Sequence, residues 1–182
     1  MPTPAEIDDI LDSSFFLPTA NKVAHRQLKD AARRLITTYA TKHQADLHRI
    51  WETERPFELH LDGVTISGRA DVILDREGGV PSALALVDYK TSVRGTALDH
   101  ALQLQVYANA GLREGLDVRA AFVHDLKKAA RDPVGVAASD IEAAEQTVTV
   151  AAARIRARDY APNPGPGCRG CEVRAVCKHA AT

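Results

Sequence analysis

Two short runs hold the residues best suited to chemistry. Gly68-Arg-Ala-Asp-Val-Ile-Leu-Asp75 and Leu86-Val-Asp-Tyr-Lys-Thr91 lie on either side of the turn signal Asp75-Arg-Glu-Gly-Gly79. They therefore read as neighbouring β-strands. Asp88 and Lys90 are two apart, so their side chains share one strand face while Tyr89 points to the other. In the first run Val64, Ile66, Ala70, Val72 and Leu74 form the apolar face, and Asp71 shares the opposite face with Ser67 and Arg69. Two carboxylates and an amine can thus meet at one point. Oxygen donors of this kind suit Mg²⁺, and the adjacent Lys could orient or deprotonate a water. An Asp-x-Lys pair is also common as a solvated ion pair. This one is embedded in the apolar run Ala83-Leu-Ala-Leu-Val87, typical of a strand covered on both faces. Charges there are costly unless paired or metal-bound.

Residues 99–114 follow as a helix stopped by Gly115. Gln103 and Tyr107, four apart, lie on one of its faces, and Gln105 faces elsewhere. Taken alone, Tyr107 would be an ordinary core residue of an amphipathic helix. The three cysteines, Cys168, Cys171 and Cys177, all fall in the last 15 residues, after the Pro/Gly-rich entry 162–167. That clustering does not suit a disulfide framework and points to ligands of a metal or cluster.

Gly68-Arg-Ala-Asp71, Asp88-Tyr-Lys-Thr91, Gln103-x-x-x-Tyr107 and the cysteine tail, in that order, resemble the PD-(D/E)xK nuclease superfamily. More narrowly they are similar to its RecB-like branch, found at the C-terminus of UvrD-type helicases and in helicase–nuclease repair complexes. The resemblance covers roughly residues 50–180, and the ordered set is far more specific than any one motif. It implies a restriction-endonuclease-like α/β core and exonuclease-like hydrolysis of DNA, as single strands or duplex ends, in repair or recombination. The partner it implies is a helicase domain or subunit. By the same resemblance Asp71, Asp88 and the Tyr89 carbonyl would hold Mg²⁺ or Mn²⁺. Lys90 would stabilise charge or position a water, and Gln103 and Tyr107 would line the site. Cys168, Cys171 and Cys177 would be the iron–sulfur staple. A 4Fe–4S cluster needs a fourth ligand, and none precedes Cys168. His179 instead would give a Cys₃His zinc site.

The branch also carries an upstream Gly-x-x-x-His segment and a first cysteine, and neither is evident here. His25 sits in an amphipathic helix and is a weak stand-in. The reading that follows is an N-terminally incomplete domain. The alternative function is a catalytically silent nuclease-fold module that binds single-stranded DNA or a helicase partner. A small zinc-binding domain is a third.

The elements that must position these residues follow from periodicity. A short helix at 4–16 precedes a long one at 20–43, whose apolar stripe includes Val23, Leu28, Leu35 and Tyr39 and whose other face carries Lys22, Arg26, Lys29, Arg33 and Arg34. Strands at 50–61, 64–74 and 83–91 form a three-stranded antiparallel meander, with Asp62-Gly63 as hairpin turn. A further strand at 117–126 leads into a loop at 127–135, with Lys127, Lys128 and Arg131 as phosphate contacts. The last helix starts at Ser139, with Glu142 in capping-box position, and runs to 158. The chain thus divides into a helical segment 1–48, a nuclease core 49–158 and a Cys-rich tail 159–182. At 182 residues and 45% hydrophobic it supports one proper core. The net charge of −1 argues against strong sequence-independent DNA binding unless metals and a local basic patch supply the field. No apolar run is long enough for a membrane span, and no secretory signal opens the chain, so the expected location is cytoplasmic.

Overall fold

The structure, a computed structural model, describes residues 2–18, 20–75, 83–91 and 100–180. The turn expected at 76–79 lies outside the described residues. The chain forms two compact units, residues 1–145 and 146–182.

In the first unit, helix α1 (Pro4–Ser14) starts on a reciprocal cap. The Glu6 amide donates to Thr3 Oγ1 at 3.3 Å, and the Thr3 amide donates to Glu6 Oε2 at 2.7 Å. Helix α2 (Lys22–Lys42) is capped by Asn21, which accepts from the Ala24 amide at 2.9 Å. The basic face of α2 is partly spent on α1: Arg33 donates to Asp8 at 2.5 Å, and Lys29 pairs with Asp12. A short helix, α3 (Gln44–Leu47), then turns the chain into the sheet.

The sheet has five strands in the order β1-β2-β3-β4-β5. They are β1 (Ile50–Leu61), β2 (Val64–Asp75), β3 (Leu84–Lys90), β4 (Val118–Asp125) and β5 (Ala130–Val134). The pairs β1–β2, β2–β3 and β4–β5 are antiparallel and β3–β4 is parallel. Asp62 and Gly63 make the β1–β2 turn with positive φ at both positions, 42° and 74°, as a two-residue hairpin with matching twist requires. β3 is the middle strand, and Leu84, Ala85, Leu86 and Val87 are each at most 2% exposed. Its continuous apolar run is the signature of such a position.

The fifth strand corrects the loop expected over 127–135. The run carries charges and Pro133 with no clean alternation, but β5 is an edge strand, where a missing N–H costs no ladder bond. Helix α4 (Ala101–Arg113) packs on the sheet against β1 and β4. Helix α5 (Ala138–Arg156) begins one residue before the expected cap. Asp140, not Ser139, supplies the stabilising oxygen, accepting from the Ala137 amide at 3.0 Å.

In the second unit, Arg154 pairs with Asp159 at 2.9 Å just past the end of α5. Short 3₁₀ helices at Pro166–Gly170 and Arg174–Val176 carry the cysteine segment.

Candidate active site

The β2–β3 ladder pairs Val72 with Val87 and Ile73 with Leu86. The same register carried one step further sets Asp71 toward Asp88, on one sheet face, though the ladder itself ends at Val72 and Val87. The Asp71 carboxylate closes this step itself. Its Oδ2 accepts from the Tyr89 amide at 2.7 Å.

Asp88 is 3% exposed. Lys90 Nζ lies 2.7 Å from its Oδ2 as an ion pair, but off the hydrogen-bond direction, so that oxygen has no hydrogen-bond partner. Its Oδ1 accepts from Gln103 Nε2 at 3.2 Å. Burial pushes the Asp88 carboxyl above its ordinary range. The Lys90 ammonium opposes this, the Asp71 carboxylate reinforces it, and His100 weakly opposes it.

Gln103 ties the group together. Its Nε2 also donates to Tyr107 Oη at 3.2 Å, and its Oε1 accepts from Lys90 Nζ at 3.4 Å. Tyr107 Oη in turn accepts from the Arg69 amide at 3.3 Å. Tyr107 lies over Gly68, where any Cβ would collide with the ring, so only glycine allows this approach. The arrangement links β2, β3 and α4 through one amide side chain.

The open Asp88 Oδ2, a second carboxylate and the hard-oxygen donor set fit Mg²⁺ or Mn²⁺. Two carboxylates are enough for a cation that keeps several of its waters. Among the described residues, no group of three or more His, Cys, Asp or Glu side chains gathers as a cation cage.

The model of the PD-(D/E)XK nuclease superfamily matches residues 4–178. The chain belongs to that superfamily. Its α/β sheet flanked by helices is the restriction-endonuclease-like fold of these nucleases. Among solved structures, it is similar to one from Eubacterium rectale named "Putative exonuclease". That pairing has TM-score 0.52 and 13% identity, and covers 98% of this chain and 71% of the other. It is also similar to the structure of SSO0001, with TM-score 0.44 and 18% identity over 98% of this chain and 82% of that one. No curated protein matches it.

Other side chains of this superfamily member are engaged elsewhere, Gln105 as its helix position implied. Gln105 turns away and donates to the Gly135 carbonyl at 3.0 Å. Arg131 is not a phosphate contact: its guanidinium donates to Asp46 at 2.6 Å, and both side chains are 15% exposed. Lys127 and Lys128 donate backbone amides to Asp125 Oδ1, and the Lys128 amine lies 3.4 Å from Asp125 Oδ2. His25 packs edge-on against Phe15. Cys168 is half-buried, its sulfur accepting from the Gly165 amide at 3.5 Å, while Cys171, Cys177 and His179 are exposed. As placed, these groups do not form a closed iron–sulfur or zinc site.

One residue near the site escaped the sequence reading. His100 precedes α4, is half-buried, and its Nε2 is buried without a hydrogen-bond partner. Its signal was the spacing His100, Gln103, Tyr107, which is one stripe of a helix.

Proposed function

We propose that this chain is the hydrolytic part of a metal-dependent DNA nuclease, with Asp71, Asp88, Lys90, Gln103 and Tyr107 as its working residues. The observation that carries the reading is the Gln103 amide, which joins Asp88, Lys90 and Tyr107 at the point where Asp71 meets β3. Asp71, Asp88 and the Tyr89 carbonyl would hold Mg²⁺ or Mn²⁺, which when bound supplies Lewis-acid activation and charge neutralisation for phosphodiester hydrolysis. Asp88 presents a buried carboxylate oxygen that has no hydrogen bond among the described residues and is paired with the Lys90 ammonium, where its field is weakly screened. Lys90, three-quarters enclosed and paired to that carboxylate, is a cation held ready for the developing charge of the phosphate. Gln103 keeps the ammonium and the carboxylate in register, and Tyr107 fixes the rotamer of Gln103.

The finer reading is an exonuclease-like enzyme of the RecB-like branch, joined to a UvrD-type helicase in DNA repair or recombination in the cytoplasm. It rests on the order of the motifs and the Cys168-x₂-Cys171-x₅-Cys177 spacing. In that reading the tail closes over a 4Fe–4S cluster, or over zinc through His179, only when a further ligand and the metal are supplied. Iron, sulfide and zinc analysis of anaerobically purified protein decides between them.

The test of the core reading is cleavage of single-stranded and duplex DNA in Mg²⁺ or Mn²⁺. Asp88→Ala abolishes cleavage, and Lys90→Ala lowers it by about two to three orders of magnitude. Undiminished cleavage by Asp88→Ala would falsify the assignment.

A further inference from the structure

The reverse face of β3 carries a polar aromatic cluster that hydrolysis does not use. Tyr89, between the two site residues, points into it. The Tyr89 hydroxyl donates to Tyr39 Oη of α2 at 2.5 Å, and the two rings meet edge to face at 5.2 Å. Tyr39 also stacks on His43 and meets His124 edge-on. Arg131 of β5 donates to Tyr39 Oη at 3.5 Å and to His124 Nδ1 at 3.4 Å while holding Asp46. Side chains of α2, α3, β4 and β5 are thus linked in one cluster, which meets Tyr89 of β3 through Tyr39 and His124.

β3 needs an anchor at this point. Its ladder with β2 runs only over Leu84–Val87. Beyond Val87 the strand keeps its β4 neighbour as far as Lys90, and on the β2 side the Tyr89 amide is held by the Asp71 carboxylate. That carboxylate is itself a candidate cation donor. Besides the Gln103 amide in front and the Leu126 amide on the Lys90 carbonyl, the Asp88–Lys90 end is held by the Tyr89 hydroxyl, fixed from behind. An apolar pair of rings would fill the same space without burying hydroxyls, but only a hydrogen bond has a direction that fixes one arrangement.

We propose that Tyr39 is a positioning residue: its hydroxyl pair with Tyr89 sets the pitch of the Asp88–Lys90 strand end, and through it α2 tunes the cation affinity of the opposite face. The proposal rests on the nuclease reading above. Tyr39 meets Tyr89 on the face of β3 opposite Asp88 and Lys90, so the effect travels through the backbone between Tyr89 and its neighbours.

The experiment measures Mn²⁺ binding by titration calorimetry on the full chain and on Tyr39→Phe, Tyr89→Phe and the double variant, with unfolding midpoints alongside. Each single change weakens Mn²⁺ binding about tenfold, as loss of a group supporting a metal ligand does. The double variant binds no more weakly than the worse single one, because both delete the same pair. Lower midpoints with unchanged Mn²⁺ affinity would show a structural role only and overturn the proposal. Should a single variant fail to fold, the double variant leaves no orphaned hydroxyl and decides the matter by the same affinity. Asp88→Ala separates the two readings. If the unaltered chain shows no Asp88-dependent Mn²⁺ binding, the nuclease reading and this proposal fail together. If it binds and the tyrosine variants bind equally well, only this proposal fails.

Discussion

The two faces of β3 bury polar groups in opposite ways. On the front, Asp88 keeps a carboxylate oxygen without a hydrogen bond, beside an ammonium and a second carboxylate. On the back, Tyr89 and His124 are kept neutral: burial pushes the Tyr89 phenol far up and the His124 imidazole down to about 4. The ion pair of Arg131 with Asp46 on the back face is tied into the ring cluster. Desolvation is the main cause on both faces, yet one face retains charge it could share with a ligand and the other removes charge to hold helices in place. A strand can carry both because its side chains alternate.

The largest effect should come from removing charge at the front. Asp88→Asn keeps the shape but loses the anion, so DNA cleavage falls on the order of a thousandfold. Its unfolding free energy at neutral pH should hold or rise, since a buried amide costs less than a buried carboxylate. A loss above about 2 kcal/mol in denaturant titration would mean that Asp88 is a structural group like those behind it.

Next comes Gly68→Ala. The new methyl meets the Tyr107 ring and displaces the hydroxyl that orients Gln103. Cleavage drops about ten- to a hundredfold through misplacement of the site, and stability falls by roughly 1–3 kcal/mol from overpacking. Full activity in this variant would show that Tyr107 does not support the site.

pH separates the faces by sign. The folded pKa of His124, about 4, lies below its ordinary 6.5, and burial shifts His43 the same way. Between those values the unfolded chain takes up protons that the folded chain refuses. Stability is therefore complete above about pH 6.5 and falls toward pH 4, by up to roughly 3 kcal/mol for His124. Asp88 contributes the opposite slope. Its raised folded pKa makes the folded chain bind a proton first, so acid favours its folded form just above the ordinary carboxylate range. Urea midpoints across this range should fall with acid in the native chain. In Asp88→Asn they should fall more steeply, because the opposing contribution is gone. Equal slopes would deny the front face its burial cost.

The sequence made the front face legible because a period of two is enough to place Asp71, Asp88 and Lys90 together, and a period near four to add Gln103 and Tyr107. The two-helix entry and the antiparallel meander followed from hydrophobic spacing and the Asp62-Gly63 turn. What stayed hidden depends on distant partners. Gly68 reads as a motif residue, and nothing local says that a ring 39 residues later rests on it. Arg131 and Lys29 look like free cations until Asp46 and Asp12 are brought to them. β5 was missed because Pro133 argues against a strand everywhere except at an edge. Tyr39 reads as part of an apolar stripe, and its hydroxyl matters only beside Tyr89. The cysteine spacing is plain in the sequence, but spacing alone does not gather the sulfurs.

The smallest expected effect tests the front face on α4 alone. Gln103 and Gln105 are chemically identical and two residues apart, so they differ only in direction. Gln103 contacts Asp88, Lys90 and Tyr107, and the half-buried Gln105 donates to the Gly135 carbonyl through a solvent-exposed hydrogen bond. Gln103→Ala should lower cleavage about tenfold with a weaker response to added Mg²⁺. Gln105→Ala should leave cleavage unchanged and shift stability by no more than about 0.5 kcal/mol, since a surface hydrogen bond is replaced by water. The comparison controls for helix propensity, because both changes replace glutamine with alanine in the same helix. Equal loss of activity in both variants would mean that α4 acts on the site as a rigid body. The specific stripe from Gln103 to Tyr107 would then have no privileged role.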